Sequence, residues 1–324
     1  MKKPKIYITE TIPKEVENYL STFCDYDKWD GEQDISRSEL LDKLHDKEGV
    51  MLSGVLINDE LLSRAPKLKV VSNISVGYNN FDIGVMRERN IIGTNTPGVL
   101  DNTVADLIFG LILSCARRIS ELDRYVKQGK WSIDDNQTLF GIDVHHSTLG
   151  IIGMGRIGEA VAKRARLGFD MEVCYFNRNR KKDVEEKLGV NYCDFKSLLA
   201  KSDFIVLMIP LSEETRHLID FDEFKIMKNT AIFINASRGQ TVNEQALINA
   251  LQSGEIRGAG MDVYEEEPVN PQNPLLKIPN VVTVPHIGSA TIKTRFDMAM
   301  LAAQNLVKAL QGEIPPNIVR ELKK

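Results

Sequence analysis

The chain has 324 residues, 43% of them hydrophobic and 27% charged, which is enough for about two domains with their own cores and far from a disordered composition. Its 41 lysines and arginines against 45 acidic residues leave a net charge of −4, so nucleic acid and acidic membranes gain no general attraction and a small anion must be met by local positive charge. Cys24, Cys115, Cys174 and Cys193 lack metal-ligand or disulfide-framework spacing, the N-terminus lacks a signal peptide, and the best apolar run is about half the ~20 residues of a membrane helix, so we expect a cytoplasmic protein with reduced thiols.

In the first hundred residues, 6–9, 50–52, 70–73 and 91–92 read as strands, with helical stretches such as 39–44 between them. A linking helix is predicted to begin at Asp101-Asn102-Thr103, whose side-chain oxygens can cap it, and to run to about Arg118. Leu107, Ile108, Phe109, Leu111, Ile112 and Leu113 make it apolar on more than one face, which predicts burial between domains or against a second subunit. From 149 onward, β-rich runs at 149–152, 171–176, 204–209, 231–235, 259–261 and 281–284 alternate with helical segments, the pattern of a parallel sheet with crossover helices. A last helix, 294–311, ends at Gly312 and Pro315-Pro316 and is expected to return to the first domain.

Chemistry-bearing residues follow the predicted strands. Gly153-Met154-Gly155-Arg156-Ile157-Gly158 lies between the run 149–152 and a helix-forming stretch, the context in which a glycine fingerprint holds the pyrophosphate of a dinucleotide. The glycines permit a tight turn and close backbone approach, and the helix N-terminus favours the negative charge. About 20 residues on, where an NAD site carries an acid on the ribose hydroxyls, the chain instead reads Asn177-Arg178-Asn179-Arg180-Lys181-Lys182. Asn177 can donate and Arg178 can clamp a 2′-phosphate, which predicts NADPH in preference to NADH.

Arg238, Glu267 and His286 are the candidate catalytic residues. A guanidinium at the strand end of Asn235-Ala236-Ser237 can grip a substrate carboxylate and polarise the adjacent ketone. His286 can give the ketone oxygen a proton as hydride reaches carbon, and Glu267 on the other ring nitrogen fixes the tautomer and keeps a protonated acid available near neutral pH. The remaining histidines read as a loop, His145-His146, and as solvated side chains, His45 and His217, and no metal is assigned.

Together these residues resemble the D-isomer-specific 2-hydroxyacid dehydrogenases, nearest to the bacterial glyoxylate, hydroxypyruvate and 2-ketogluconate reductases, along nearly the whole chain. The resemblance is carried by Asn73-Ile74-Ser75-Val76-Gly77-Tyr78-Asn79-Asn80, Thr96-Pro97-Gly98-Val99-Leu100, Asp143-Val144-His145-His146, the fingerprint, Ile234 to Gly239, Gly260 to Val263, Glu267-Pro268 and Pro285 to Thr291. It implies a Rossmann-type, doubly wound parallel sheet domain, residues 101–290, inserted in a smaller flavodoxin-like α/β substrate-binding domain, 1–100 plus 291–324. It assigns catalysis to Arg238, Glu267 and His286, and the substrate to Val76 and Gly77 together with Arg238 and His286. Cofactor contacts fall to Thr103, Gly153, Gly155, Arg156, Ile157, Gly158, Asn177, Arg178, Pro210, Thr215, Ala236, Asp262 and Gly288. The implied protein is a homodimer acting on a small 2-oxo or 2-hydroxy acid. Two departures stand out: Asn79-Asn80 replaces a frequent aspartate, and the loop that can lend an aromatic to a partner's site offers Trp131, Leu139 and Phe140. The alternatives are a phosphoglycerate- or lactate-type dehydrogenase of the same fold and a dinucleotide-sensing binding protein of corepressor type.

Overall fold

The computed structural model describes residues 2–323, which divide into two compact units: one formed by the chain up to Leu100 and from Ala290 onward, the other by Asp101–Ser289. In the first, β1 (Lys5–Ile8), β2 (Asp25–Lys28), β3 (Gly49–Leu52), β4 (Val70–Asn73) and β5 (Ile92–Thr94) form a parallel sheet in the order β2-β1-β3-β4-β5. This is the flavodoxin-like order, with its reversal between β1 and β3. The central strands β3 and β4 are buried throughout, β3 as Gly-Val-Met-Leu and β4 as two valines followed by a buried serine and asparagine. At the edge, β2 is Asp-Tyr-Asp-Lys with every other residue exposed, and it carries no apolar run for sequence reasoning to find.

The helix Ile292–Leu310 seals one face of this sheet, capped by Thr291, whose hydroxyl accepts from the Thr294 N–H at 3.2 Å. Gly49 lets it approach closely, since a Cβ there would lie 2.9 Å from Leu306 Cδ1. Two buried polar bonds fix its register: Ser72 Oγ donates to Ala302 O at 2.8 Å, and Asn305 Nδ2 donates to Asn95 O at 3.1 Å.

The second unit holds seven parallel strands: β6 (Thr148–Ile152), β7 (Glu172–Phe176), β8 (Asn191–Tyr192), β9 (Phe204–Leu207), β10 (Ile232–Asn235), β11 (Gly258–Met261) and β12 (Val281–Thr283). Their order is β12-β11-β10-β9-β6-β7-β8, so the winding reverses at the β6–β9 pair, where a doubly wound sheet opens a ligand crevice at its carboxyl edge. The two-residue β8 is exposed and polar, which hides it in the sequence.

The helix Asp101–Ala116 buries its apolar side chains within its own unit. Phe109 stacks on Phe169 of the helix Arg156–Phe169 at 4.9 Å, Cys115 Sγ donates to Ala259 O at 3.3 Å, and Gly260 leaves room for Leu111 against β11. The helix ends two residues before the expected Arg118, which takes a left-handed conformation, φ 56°, and caps the next helix, Ile119–Lys127.

Candidate active site

The fingerprint occupies the turn from β6 into the helix Arg156–Phe169. Gly153 has φ +106°, and a Cβ on it would lie 2.3 Å from Met208 O, so both backbone shape and neighbouring chain demand glycine. A Cβ on Gly158 would meet Gly153 O at the same 2.3 Å. Gly155, by contrast, has nothing within 4 Å of its Cβ position and caps the helix without any side-chain hydrogen bond. Open space at Gly155 and a helix start without a side-chain cap are the features a backbone diphosphate site has. Arg156 pairs with Asp101 at 3.3 Å, and Ile157 is half-buried beside it. Thr103 lies in the first turn of the helix Asp101–Ala116. At the end of β9, Thr215 Oγ1 donates to Pro210 O at 2.7 Å, closing the loop that carries both residues.

At the end of β7 the cations divide into two kinds. Arg180 is held by Glu185 at 2.7 Å and lies over the Tyr192 ring, so it serves the fold. Arg178 is exposed and meets only a loose counter-ion, Glu214, at 3.6 Å, while Asn177 Nδ2 donates to Asn179 O at 2.8 Å. Of the two guanidiniums, Arg178 is the one left exposed.

Arg238, Glu267 and His286 come from the ends of β10, β11 and β12, and the second unit brings them together. The Arg238 loop is pinned through its backbone: Asn235 Nδ2 and Thr241 Oγ1 both donate to Arg238 O, at 3.1 and 2.6 Å. The guanidinium donates from Nη1 to Ser237 O at 2.6 Å, and burial lowers its pKa, opposed by the charge of Glu267. Glu267 Oε1 accepts from the Tyr264 N–H at 3.0 Å, and its Oε2 lies 2.7 Å from His286 Nδ1. Burial would raise the Glu267 pKa, but the hydrogen bonds from His286 and the Tyr264 N–H, with the charges of His286 and Arg238, bring it below the usual value. An ionised carboxylate only accepts, so His286 Nδ1 carries the proton of that bond and Nε2 is the nitrogen presented outward.

His286 adopts φ +50°, and Asp262 holds the turn that aims it. The Asp262 oxygens accept from the Ile287 N–H at 2.6 Å and the Gly288 N–H at 3.0 Å. Burial raises the Asp262 pKa against those two hydrogen bonds and the charge of His286, while Glu267 adds to the rise. Both Asp262 and Gly288, read from sequence as cofactor contacts, are therefore engaged first in shaping the His286 turn. Ala236 is half-buried between Asn235 and Ser237.

Sequence reasoning missed Tyr264 and Asn235 as supports. Tyr264 OH donates to Val284 O at 3.0 Å, tying the Glu267 loop to the strand end before His286. No spacing rule announces such a bond. His217, read as solvated, instead pairs through Nε2 with Glu265 at 3.0 Å.

Val76 and Gly77 belong to the first unit, in the loop after β4. Ser75 O accepts from the Thr96 N–H at 2.9 Å, and Val76 O accepts from Asn95 Nδ2 at 2.7 Å. A trans peptide sets N–H opposite C=O, so pinning these carbonyls turns the Val76 and Gly77 N–H groups away from Thr96 and Asn95. Asn73 Nδ2 fixes Gly77 O at 2.8 Å, and Asn80 Nδ2 donates to Val55 O at 2.8 Å, a structural use for one of the two asparagines. Among the described residues, no group of three His, Cys, Asp or Glu could hold a metal, and no helix is long and apolar enough to cross a membrane.

The model of the D-isomer specific 2-hydroxyacid dehydrogenase NAD binding domain matches residues 109–288. Glyoxylate/hydroxypyruvate reductase B of Yersinia enterocolitica is 46% identical over 317 residues, 98% of this chain and 97% of the relative. Glyoxylate reductase of Korarchaeum cryptofilum is 44% identical over 321 residues, 98% and 96%. Among solved structures, the NADPH-dependent glyoxylate/hydroxypyruvate reductase of Sinorhizobium meliloti in complex with NADP and malonate superposes with a TM-score of 0.87 at 30% identity, covering 99% of this chain and 98% of that one. The chain is an oxidoreductase that reduces 2-oxo acids with NAD(P)H, and it belongs to the D-isomer-specific 2-hydroxyacid dehydrogenase family.

Proposed function

We propose that the chain reduces glyoxylate or hydroxypyruvate, with 2-ketogluconate as a further substrate, to the D-2-hydroxy acid, and that it prefers NADPH. The observation that carries this reading is the 2.7 Å bond between Glu267 and His286 in the unit that holds the dinucleotide fingerprint. The reaction is R–CO–COO⁻ + NAD(P)H + H⁺ to R–CHOH–COO⁻ + NAD(P)⁺. The bound cofactor supplies the hydride, and the chain's own residues do the rest. Arg238 grips the carboxylate and polarises the ketone. His286 delivers a proton from Nε2 to the ketone oxygen, and Glu267 stabilises the imidazolium before transfer. The Val76 and Gly77 N–H groups hold the substrate carboxylate.

Support for NADPH is the exposed Arg178 with only a loose partner and no acid in place at the end of β7. The Sinorhizobium relative, whose structure contains NADP, points the same way. Arg156, Ile157, Thr103, Pro210, Thr215 and Ala236 would line the rest of the dinucleotide. We further read the protein as a cytoplasmic homodimer without a nucleic-acid partner. Its free cysteines agree with a reducing compartment, and Trp131, Ile133 and Phe140, exposed at 70%, 97% and 64%, give the second unit an apolar surface suited to another copy. The deciding experiment measures kcat/KM for NADPH and NADH against a panel of 2-oxo acids, with sedimentation to give the assembly. No turnover of any 2-oxo acid, or a clear preference for NADH, would overturn the corresponding part.

A further inference from the structure

The carboxyl edge of the five-stranded sheet holds an acid that no role above uses. Glu10 follows β1, and its Oε1 is enclosed with no hydrogen-bond partner. Ser53, just after β3, is within hydrogen-bonding reach of the carboxyl, and Arg295, in the first turn of Ile292–Leu310, and Asp34 are the charged groups that bear on it. Burial pushes the Glu10 pKa up, with Arg295 and Ser53 acting against the rise and Asp34 adding to it. An enclosed acceptor of this kind is costly unless something donates to it.

The ends of β1 and β4 are both tied to the end of β3, through Thr9 N to Met51 O at 3.0 Å and Ile74 N to Leu52 O at 2.7 Å. Glu10 therefore lies two strand spacings, roughly 10 Å, from the loop of Val76 and Gly77. Between those backbones a hydrogen bond of about 2.8 Å at each end leaves at most roughly 4–5 Å, less whatever the Glu10 side chain reaches across, so a hydroxyl on C3 of a 2-oxo acid held by its C1 carboxylate is the one within range.

We propose that Glu10 sets the specificity for what lies beyond the ketone, accepting a hydrogen bond from a hydroxyl on C3 of the substrate and so selecting hydroxylated 2-oxo acids over those with a bare methyl. The inference rests on the assignment of Val76 and Gly77 to the substrate carboxylate. When ionised, Glu10 also opposes a second carboxylate at that end of the substrate.

The test compares kcat/KM for hydroxypyruvate, pyruvate and glyoxylate with NADPH in the wild type, Glu10→Gln and Glu10→Ala. Pyruvate differs from hydroxypyruvate by that hydroxyl alone, and glyoxylate has no third carbon. The wild type should favour hydroxypyruvate over pyruvate by about tenfold or more, the worth of a hydrogen bond to a charged acceptor. In Glu10→Ala the ratio should fall to near one, with the loss on hydroxypyruvate about tenfold larger than on glyoxylate. Glu10→Gln, which keeps an acceptor without the charge, should fall between, and it carries the test alone if the alanine variant loses its fold by circular dichroism. An unchanged ratio, or one common factor of loss for all three substrates, overturns the role of Glu10. A wild type inactive on all three overturns this inference and the proposed function together.

Discussion

Gly239 and Tyr264 are packed backbone against backbone: a Cβ on Gly239 would lie 1.8 Å from the Tyr264 carbonyl carbon and oxygen. That approach brings the loop of Arg238 against the loop of Glu267, because Gly239 follows the arginine and the Tyr264 N–H holds the Glu267 carboxylate at 3.0 Å. Replacing Gly239 by alanine should thus do two things at once. Stability should fall by about 2–4 kcal/mol, since backbone atoms cannot swing aside as a side chain does, and kcat should fall with it as the catalytic groups separate. Thermal unfolding and steady-state kinetics on the same preparation check both; wild-type Tm and kcat in G239A would show that the two loops are not coupled in this way.

His286 and Arg238 should fail differently. His286→Ala removes the proton donor and should lower kcat by ~10²–10⁴-fold with a smaller change in KM. Arg238→Ala should lower kcat and raise KM together, because it loses carboxylate binding as well as ketone polarisation. Arg238→Lys should recover little of this, since an ammonium lacks the planar fork. A shared pattern of unchanged KM in all three variants would contradict the division of roles.

Arg178→Ala should separate the two cofactors. The counter-ion of Arg178, Glu214, is 3.6 Å away and both side chains are exposed, so Arg178 contributes little to the fold and a change there should act through the proposed 2′-phosphate contact. The expected result is about a tenfold loss of kcat/KM for NADPH with a much smaller effect on NADH. Equal losses for both cofactors would place the 2′-phosphate elsewhere.

Glu17 gives the first unit an acid-sensitive contact. Hydrogen bonds from Lys14 and Lys28, each at 2.8 Å, hold its carboxyl at about 2 against an ordinary value of 4.5, with burial acting in the opposite direction. A carboxyl whose pKa is depressed on folding stabilises fully above its unfolded value and loses that contribution as pH falls towards its folded value. The wild type should therefore exceed Glu17→Gln in Tm by a few degrees at pH 7, and the gap should close between about pH 4.5 and pH 2. A gap that persists unchanged down to pH 2 would show that the ion pairs are not its source.

The strand ends and their residues were legible in the chain because they are local signals. Apolar runs of the right length mark β3, β6, β9 and β10, and the motifs that follow them stand at fixed offsets. The edge strands β2 and β8 were not legible, since a short polar strand is defined by the neighbour it pairs with and not by its own composition. Among the basic residues after β7, the sequence already singled out Arg178 for a phosphate; what it did not show is that Arg180 is committed to Glu185 and Tyr192 while Arg178 stays exposed.

By itself the amino-acid sequence determined the central strands of the two sheets, the glycine turn and the identity of the groups that could move a proton, since each depends on residues close together along the chain. The tertiary structure decided how those groups meet. Glu267 reaches His286 only because adjacent parallel strands deliver both to one edge, and Asp262 turns out to brace the histidine's turn because that turn's N–H groups fold back onto it. Contacts between residues distant in sequence depend on packing, and no periodicity or motif encodes them one residue at a time.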